Sequence, residues 1–447
     1  MCGIAGFCNF KEDFEENTDY WNFRLEKMRA VLAHRGNDAR GRYLKKHIGL
    51  SHSRLAIRDI LCGDQPMTRT HNGYDYTICY NGEIYNTDEL IPELSENGFV
   101  CSTTSDTEVI LYAYIHWGAD FVNRLNGIFA FAIWDTAKSR LLLYRDRVGV
   151  KPLFYAIRGD SLAFGSEPKA CFAHPAVKPE LDKQGLQELL AIGPAHTSGL
   201  SLFKDLFEVL PGHFMIYSRD GLHDETYWEL TSREHTESYR DTVAHTRFLV
   251  EDAIKRQMVS DVPVCTFLSG GIDSSIVTAI AANYMNTRGK TLNTFSFDFK
   301  DNDRYFKANA FQPERDLPYV NRMLEEYETA HSYLECDENS LFKALFAAVD
   351  AKDMPGMTDV DSSLLYFCSL VSRKNKVALT GECADEIFGG YPWFYRKELL
   401  ERYGFPWSSD VAPRLALLRD DVGLELDLSG YQAFQYEESR SKAPLLY

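Results

Sequence analysis

Short apolar segments bounded by turn residues fill the first 210 positions. Tyr76-Thr77-Ile78-Cys79-Tyr80 reads as a strand ended by Asn81-Gly82. Gly127–Trp134 and Leu141–Tyr144, separated by the polar stretch 135–140, read as a hairpin of two buried strands. Apolar residues at helical spacing predict helices near 19–33 and 105–117. Pro211-Gly212-His213 and the polar stretch 231–239 mark a boundary region, followed by a charged helix over 240–259. From 262 the texture changes. Val262–Leu268 is a β-rich run into Ser269-Gly270-Gly271, with a helix over about 272–286. Leu292–Phe297 and Lys376–Thr380 read as two more strands. Strands alternating with helices predict a parallel α/β sheet.

At 447 residues the chain is too long for one core and is read as two domains. Apolar and aromatic contents of 45% and 13% are those of a globular protein. The net charge of −17 argues against nucleic acid as a partner, because phosphate backbones need clustered Lys and Arg. No basic region followed by an apolar stretch opens the chain, and no apolar run approaches ~18 residues, so neither a signal peptide nor a membrane span is expected. The ten cysteines include no CxxC pair and read as reduced thiols in the cytoplasm.

Three features carry chemistry. Cys2 follows Met1, and methionine removal would leave a thiol and a free α-amino group on one residue, a nucleophile with its own base. Val264–Ser275 runs strand, glycine turn, helix start, and its amides and hydroxyls suit an anion; it lacks the lysine of the kinase and GTPase loop. The plainer reading of Ser269-Gly270-Gly271 is a turn with Asp273 and Ser274 capping a helix. Val377–Tyr391 is another strand running into the acidic turn Glu382, Asp385 and Glu386. Ligands of open parallel sheets bind at the carboxyl ends of strands, so these acids can share a cleft with the glycine turn.

Four strings lie in the first half: Cys2-Gly3-Ile4-Ala5-Gly6, Ser53-Arg54-Leu55-Ala56-Ile57, Asn81-Gly82-Glu83-Ile84-Tyr85-Asn86 and Ser105-Asp106-Thr107-Glu108. Singly, each has a structural reading: Asn81-Gly82 as a hairpin turn, Arg54 as a surface ion pair, Asp106 as a helix N-cap. Together, in this order behind Cys2, they resemble the class II glutamine amidotransferases, which are N-terminal nucleophile hydrolases. Leu32–Asp38 is similar to their HRGPD string, with Asn37 in place of Pro, and Arg145–Leu153 is similar to a further string, read as structural or domain-contacting. SGGxDSS at 269–275 resembles the loop of the N-type ATP pyrophosphatases. Thr380–Glu386 resembles the SGEGADE string of glutamine-hydrolysing asparagine synthetases, with Thr380 and Cys383 replacing Ser and Gly.

That resemblance implies an α+β N-terminal nucleophile hydrolase sandwich (αββα) over 2–210, a connecting region over 211–239, and an α/β parallel-sheet ATP pyrophosphatase domain over 240–447, expected to be incomplete at its C-terminus. It implies Cys2 as nucleophile and Asn81 with the Gly82 amide as oxyanion stabilisers. Arg54 would clamp the α-carboxylate of glutamine, Glu83 and Asp106 would receive its α-ammonium, and Ile57 would line that site. Leu268, Ser269, Gly270, Gly271, Ser274, Ser275, Phe297, Thr380 and Gly381 would hold ATP and pyrophosphate. Asp273 and Asp385 would ligate Mg²⁺, and Glu382 would act as a general base. The segment Gly356–Ser363 is placed near the aspartate site. The implied partners are glutamine, aspartate and ATP, with a homodimer left open. Two other readings stay open: an amidotransferase acting on another carboxylate acceptor, and a glutaminase-only or scaffold protein.

Overall fold

The computed structural model describes residues 1–308, 314–408 and 410–442. It divides into two compact units, Met1–Ser232 with Val411–Tyr447, and Arg233–Asp410.

The first unit contains two six-stranded sheets. One has the order β10-β8-β9-β1-β3-β2. Its strands are β1 (Gly3–Asn9), β2 (Ala39–Lys45), β3 (Ile48–Arg54), β8 (Phe154–Arg158), β9 (Ser161–Gly165) and β10 (Phe207–Glu208). The other has the order β12-β11-β7-β6-β5-β4. It is built from β4 (Met67–His71), β5 (Tyr74–Ile84), β6 (Gly127–Asp135), β7 (Arg140–Arg145), β11 (His213–Ser218) and β12 (Gly221–Thr226). Neighbouring strands are antiparallel throughout.

Alternation along the strands makes the layers. In β1, Ile4 and Cys8 point into the core between the sheets, with Leu50, Ala130, Ala132, Trp134, Leu141 and Leu143. Ala5 and Phe7 point the other way, onto Trp21, Leu25 and Met28 of α1 (Thr18–Ala30). On the second sheet, Phe129, Phe131 and Ile133 face away from that core. They meet Leu90 and Leu94 of α2 (Thr87–Glu96) and Val109 and Ile110 of α3 (Asp106–Trp117). The result is the expected αββα sandwich. Strands with both faces covered read as continuous apolar runs, which is why Gly127–Trp134 shows no polar face.

Two expectations are corrected. Asn81-Gly82 does not end a strand: β5 continues to Ile84, with Asn81 opposite Ala130 and Gly82 opposite Phe129. A Cβ on Gly82 would lie 2.3 Å from the Ile128 carbonyl, so only glycine lets the neighbouring strand come this close. Residues 213–226, left in a connecting region by the sequence, form the hairpin β11–β12 on the edge of the second sheet.

The segment from Val411 packs within the first unit, although its sequence position suggests the second. Glu188–Ile192 is a π-helical turn whose carbonyls need donors. Arg414 donates to Leu190 O at 3.1 Å and Gly193 O at 2.9 Å, and Gln432 donates to Ala191 O at 2.9 Å. Gln187 in turn donates to Leu426 O at 2.7 Å, and the Tyr431 hydroxyl bonds the Glu188 carboxylate.

The second unit holds a four-stranded parallel sheet of order β15-β14-β13-β16: β13 (Val264–Phe267), β14 (Leu292–Phe299), β15 (Thr329–Cys336) and β16 (Val377–Leu379). The helix α4 (Ile272–Asn286) follows β13 directly. Met258, Val264, Ala281, Ala282 and Leu292 form one apolar cluster, and Cys265, Phe295, Phe367 and Val371 form another. Burying each large apolar side chain is worth roughly 1.5–3 kcal/mol.

Candidate functional site

Cys2 stands one residue before β1. Its Sγ lies 3.6 Å from Leu55 O and accepts the Leu55 N–H at 3.4 Å. Its carbonyl is held by Arg35 Nε at 2.9 Å, while Arg35 Nη1 donates to Glu167 at 2.7 Å. Glu167 also takes His34 and Lys169. Burial would raise the Glu167 carboxyl, yet the hydrogen bonds from His34 and Arg35 hold it at about 2. Asp38 accepts the Ala56 N–H at 2.8 Å and fixes the segment that faces the thiol. The string Leu32–Asp38 thus clamps the backbone on both sides of the sulfur. Burial pushes the Cys2 thiol up; the Leu55 amide, the neighbouring amine and Arg54 oppose it. Met1 precedes it with an exposed side chain but a buried ammonium, lowered to about 6 chiefly by desolvation.

β5 carries the next group. Asn81 is 1% exposed, and its Nδ2 is a buried donor with no partner among the described residues. Such an orphan costs about 1–3 kcal/mol and calls for an explanation. Its strand neighbours Cys79 and Glu83 both feel the Cys2 charge, which places Asn81 along the thiol's edge of β5. Asp106, at the start of α3, accepts from Tyr80 OH at 2.8 Å and Ile84 N at 3.1 Å. Burial and then the Asp106 charge push Glu83 up to about 9. Asp106 is also raised, by burial against the pull of Arg58. A buried carboxylate and a half-buried one therefore lie within electrostatic reach of one another and want a cation.

The fold supplies one that the sequence reading missed. Arg58 Nη1 lies 4.0 Å from Asp106 and donates to Ile84 O at 2.9 Å; Nη2 donates to Thr87 at 3.3 Å. Lys151, in a string read as structural or domain-contacting, is 9% exposed, with Nζ 3.1 Å from Met1 Sδ. Burial and then Arg35 lower its ammonium, while Glu83 and Cys2 raise it. A lysine four positions past Arg147 in a glycine-containing turn was the available signal. Arg54 is placed differently from expectation. Its guanidinium donates to the carbonyls of Arg58, Asp59 and Ile60 and to Asp64 at 2.9 Å. In this conformation it organises the 58–64 loop, and Ile57 stands half-buried at the start of that loop.

In the second unit, β13 ends at Phe267 and Leu268 donates its amide to Phe295 O at 2.8 Å. Gly270 has φ +85°, and a Cβ there would sit 2.8 Å from Tyr319 Cβ, so the turn requires glycine. Ser274 Oγ accepts from Ser269 N at 3.2 Å and lies 2.9 Å from Ser269 Oγ, which ties the turn to the first turn of α4. β16 pairs with β13, with Thr266 opposite Leu379, so Thr380 and Gly381 emerge beside Leu268. A Cβ on Gly381 would be 2.7 Å from Ser274 N and 2.8 Å from Asp273 Cβ. The two motifs, more than 100 residues apart, therefore touch. Burial and then the Asp385 charge raise the Asp273 carboxyl.

Asp273 and Asp385 have no ion-pair partner among the described residues, whereas Glu386 accepts from Tyr391 OH at 3.0 Å. Two converging carboxylates beside exposed amides and hydroxyls fit a hard divalent cation that keeps several waters and takes phosphate oxygens. Glu382 is exposed at the turn. Phe297 packs its ring 5.0 Å from Phe367, at the carboxyl end of β14. Cys383 adopts φ +71°, where glycine would sit without strain; this departure costs about 1–3 kcal/mol. Gly356–Ser363 leads into the helix Thr358–Val371, where Asp361 pairs with Lys352 at 2.7 Å.

Comparison with known proteins assigns both halves of the sequence, and the second match runs on into the segment from Val411 that packs with the first unit. Residues 1–228 match a glutamine amidotransferase domain, and residues 245–446 match asparagine synthase. The chain is 47% identical over 447 residues to asparagine synthetase [glutamine-hydrolyzing] 3 of Bacillus subtilis, covering all of this chain and 72% of that protein. It is 32% identical to asparagine synthetase [glutamine-hydrolyzing] 1 of the same organism, over 89% of this chain and 60% of that one. To asparagine synthetase [glutamine-hydrolyzing] of Zea mays it is 29% identical, over 90% and 62% respectively. Two domain matches in one order, with 47% identity along the whole chain, place this protein in the glutamine-hydrolysing asparagine synthetase family.

Proposed function

We propose that the chain makes asparagine from aspartate, ATP and the amide nitrogen of glutamine. Cys2 Sγ attacks the glutamine amide carbon. The α-amino group left by Met1 removal takes the thiol proton and delivers it to the departing ammonia. The oxyanion is held by Asn81 Nδ2 and the Gly82 amide, and water hydrolyses the thioester to glutamate. In the second unit, the aspartate side-chain carboxylate attacks the α-phosphorus of ATP, giving β-aspartyl-AMP and pyrophosphate. Ser269, Gly270, Gly271, Ser274 and Ser275 hold the leaving pyrophosphate; Leu268, Phe297, Thr380 and Gly381 line the nucleotide. Asp273 and Asp385 would hold Mg²⁺, which neutralises charge on the phosphates when bound. Ammonia attacks the acyl carbon and AMP leaves, with Glu382 accepting the ammonium proton.

The observation that carries this reading is the contact of the two phosphate-side motifs through Gly381, in a chain that also begins with the clamped Cys2. The test is pyrophosphate release with ATP, Mg²⁺ and ammonia, with and without aspartate, following asparagine by chromatography. Aspartate-dependent pyrophosphate with matching asparagine is the expected result. Release without aspartate dependence would point to another acceptor, and no release at all would leave only a glutaminase.

Two further outcomes follow from the glutamine site. Asn81→Ala should lower glutamine turnover by about 10²–10³-fold in kcat with a smaller change in KM, as for loss of one oxyanion donor. An effect confined to KM would remove Asn81 from that role. The pH dependence has a definite sign. Glu83, up at about 9, is protonated near neutral pH before glutamine arrives. An α-ammonium favours its ionised form, so binding expels a proton. KM for glutamine should therefore fall as pH rises from 6 toward 9; a rise over that window would contradict Glu83 as ammonium partner.

A further inference from the structure

The edge strand β2 carries an arginine pair that the glutamine and ATP sites do not use. Arg40 and Arg42 alternate on one face of the strand, opposite Ser53 and Ser51 of β3. The helix α1 brings Leu25, Glu26 and Arg29 to the same place. Between them lies a cavity of about 190 Å³, lined by Arg29, Arg40, Arg42, Glu26, Ser51 and Leu25. On the far side of β2, Gly41 abuts the Gln65 carbonyl, where an added Cβ would be only 1.7 Å away, so the strand is pinned from behind.

The charges in the cavity do not balance. Arg29 is 6% exposed and already holds Glu26 in a fork, Nε at 2.8 Å and Nη2 at 2.5 Å, with Nη1 3.5 Å from Ser53 Oγ. Glu26 is held below the usual carboxylate range, first by that hydrogen bond and also by the charges of Arg40 and Arg42, so both lie within electrostatic reach of it. Yet neither the Arg40 nor the Arg42 guanidinium has a hydrogen bond or ion pair among the described residues. Three guanidinium groups face one carboxylate, in a chain whose net charge is −17. Such a concentration of cation, partly walled by protein, attracts anions. Guanidinium forks match phosphate bidentately, and a phosphate offers oxygens to two forks at once where a single carboxylate serves one.

We propose that this cavity is a binding site for a small phosphate-bearing anion, separate from the glutamine and ATP sites, with Arg40 and Arg42 as its two forks and Arg29 as its buried floor. The source of the phosphate is either free orthophosphate or the pyrophosphate of an ATP-cleaving reaction, and both share this chemistry.

Hydrogen exchange of the full chain at constant ionic strength separates this site from the phosphate loop, because each reports in its own peptides. Orthophosphate and pyrophosphate are titrated in parallel, with sulfate as a third arm. Expected is slower exchange over Ala39–Lys45 and Thr18–Ala30, and the arm acting at the lower concentration identifies the source. R40Q/R42Q, two changes at exposed positions, should raise the half-saturating concentration for these peptides by about tenfold or more while leaving protection over 268–275 unchanged. Glu26→Gln, which removes the competing carboxylate, should lower it. No protection over 39–45 would overturn the proposal. So would protection insensitive to R40Q/R42Q, or equal protection by sulfate, which would show an adventitious ion only.

Discussion

Cys2→Ala should abolish glutamine-dependent asparagine formation while ammonia-dependent formation continues at close to the parent rate. The loss of glutaminase activity should be several orders of magnitude, the scale seen when the nucleophile of a cooperating catalytic group is removed. The reason is local. The Cys2 backbone is anchored by Arg35 and its sulfur by Leu55, so alanine keeps the strand in place and deletes only the reacting atom. The second unit has its own sheet and apolar clusters, so its chemistry should not notice the change. Parallel assays with glutamine and with ammonium chloride as nitrogen donor check this. Loss of both activities would mean that the thiol supports more than glutamine cleavage. Intact-mass analysis of the parent chain belongs with this experiment, because the proposed base exists only once Met1 is gone.

Asp273→Asn and Asp385→Asn should each reduce pyrophosphate release to background and leave glutamine hydrolysis intact. Each change keeps the size of the side chain and removes one negative charge from a pair within electrostatic reach of one another, Asp273 lying against Gly381. A hard cation prefers carboxylate to amide oxygen, so affinity for Mg²⁺ should fall sharply. The variants should fold at least as well as the parent, since they relieve repulsion between two carboxylates. The comparison is pyrophosphate release against Mg²⁺ concentration. Activity that returns at high Mg²⁺ would support the ligand assignment, and unchanged release at low Mg²⁺ would sink it.

The parts of the molecule that were legible in the sequence share a property: their meaning is local. The glycine turn after Val264–Phe267 is written in consecutive residues, and Gly270 at φ +85° shows why its position must be glycine. The helix beginning at Asp106 and the hairpin of β6 and β7 follow from periodicity alone. What could not be read depends on distant segments meeting. Asn81-Gly82 has the composition of a hairpin turn, yet Ile128 on the next strand draws it into β5. Arg58 acquires its place only when Ile84, Thr87 and Asp106 surround it. Arg54 is read from the sequence as a surface ion pair or a carboxylate clamp, and its burial and its commitment to the 58–64 loop are properties of the folded loop. The attachment of Arg414 and Gln432 to Glu188–Ile192 runs from side chains to backbone carbonyls, which carry no sequence signature.

That last attachment has a topological consequence. Because the polypeptide leaves the first unit after Ser232 and rejoins it from Val411, residues 233–410 are an insertion tethered at both ends rather than an appended tail. A protease cut in the polar stretch 231–239 would break the chain without freeing the downstream fragment, since Arg414, Gln432 and Tyr431 would still grip the π-helical turn. Closing both ends of a long segment also removes chain entropy from its unfolded form, by an amount that grows only logarithmically with length. Residues 411–442, which fall within the stretch that matches asparagine synthase, are thus held by carbonyls of Glu188–Ile192 and Gly193 rather than by the sheet that precedes them in sequence.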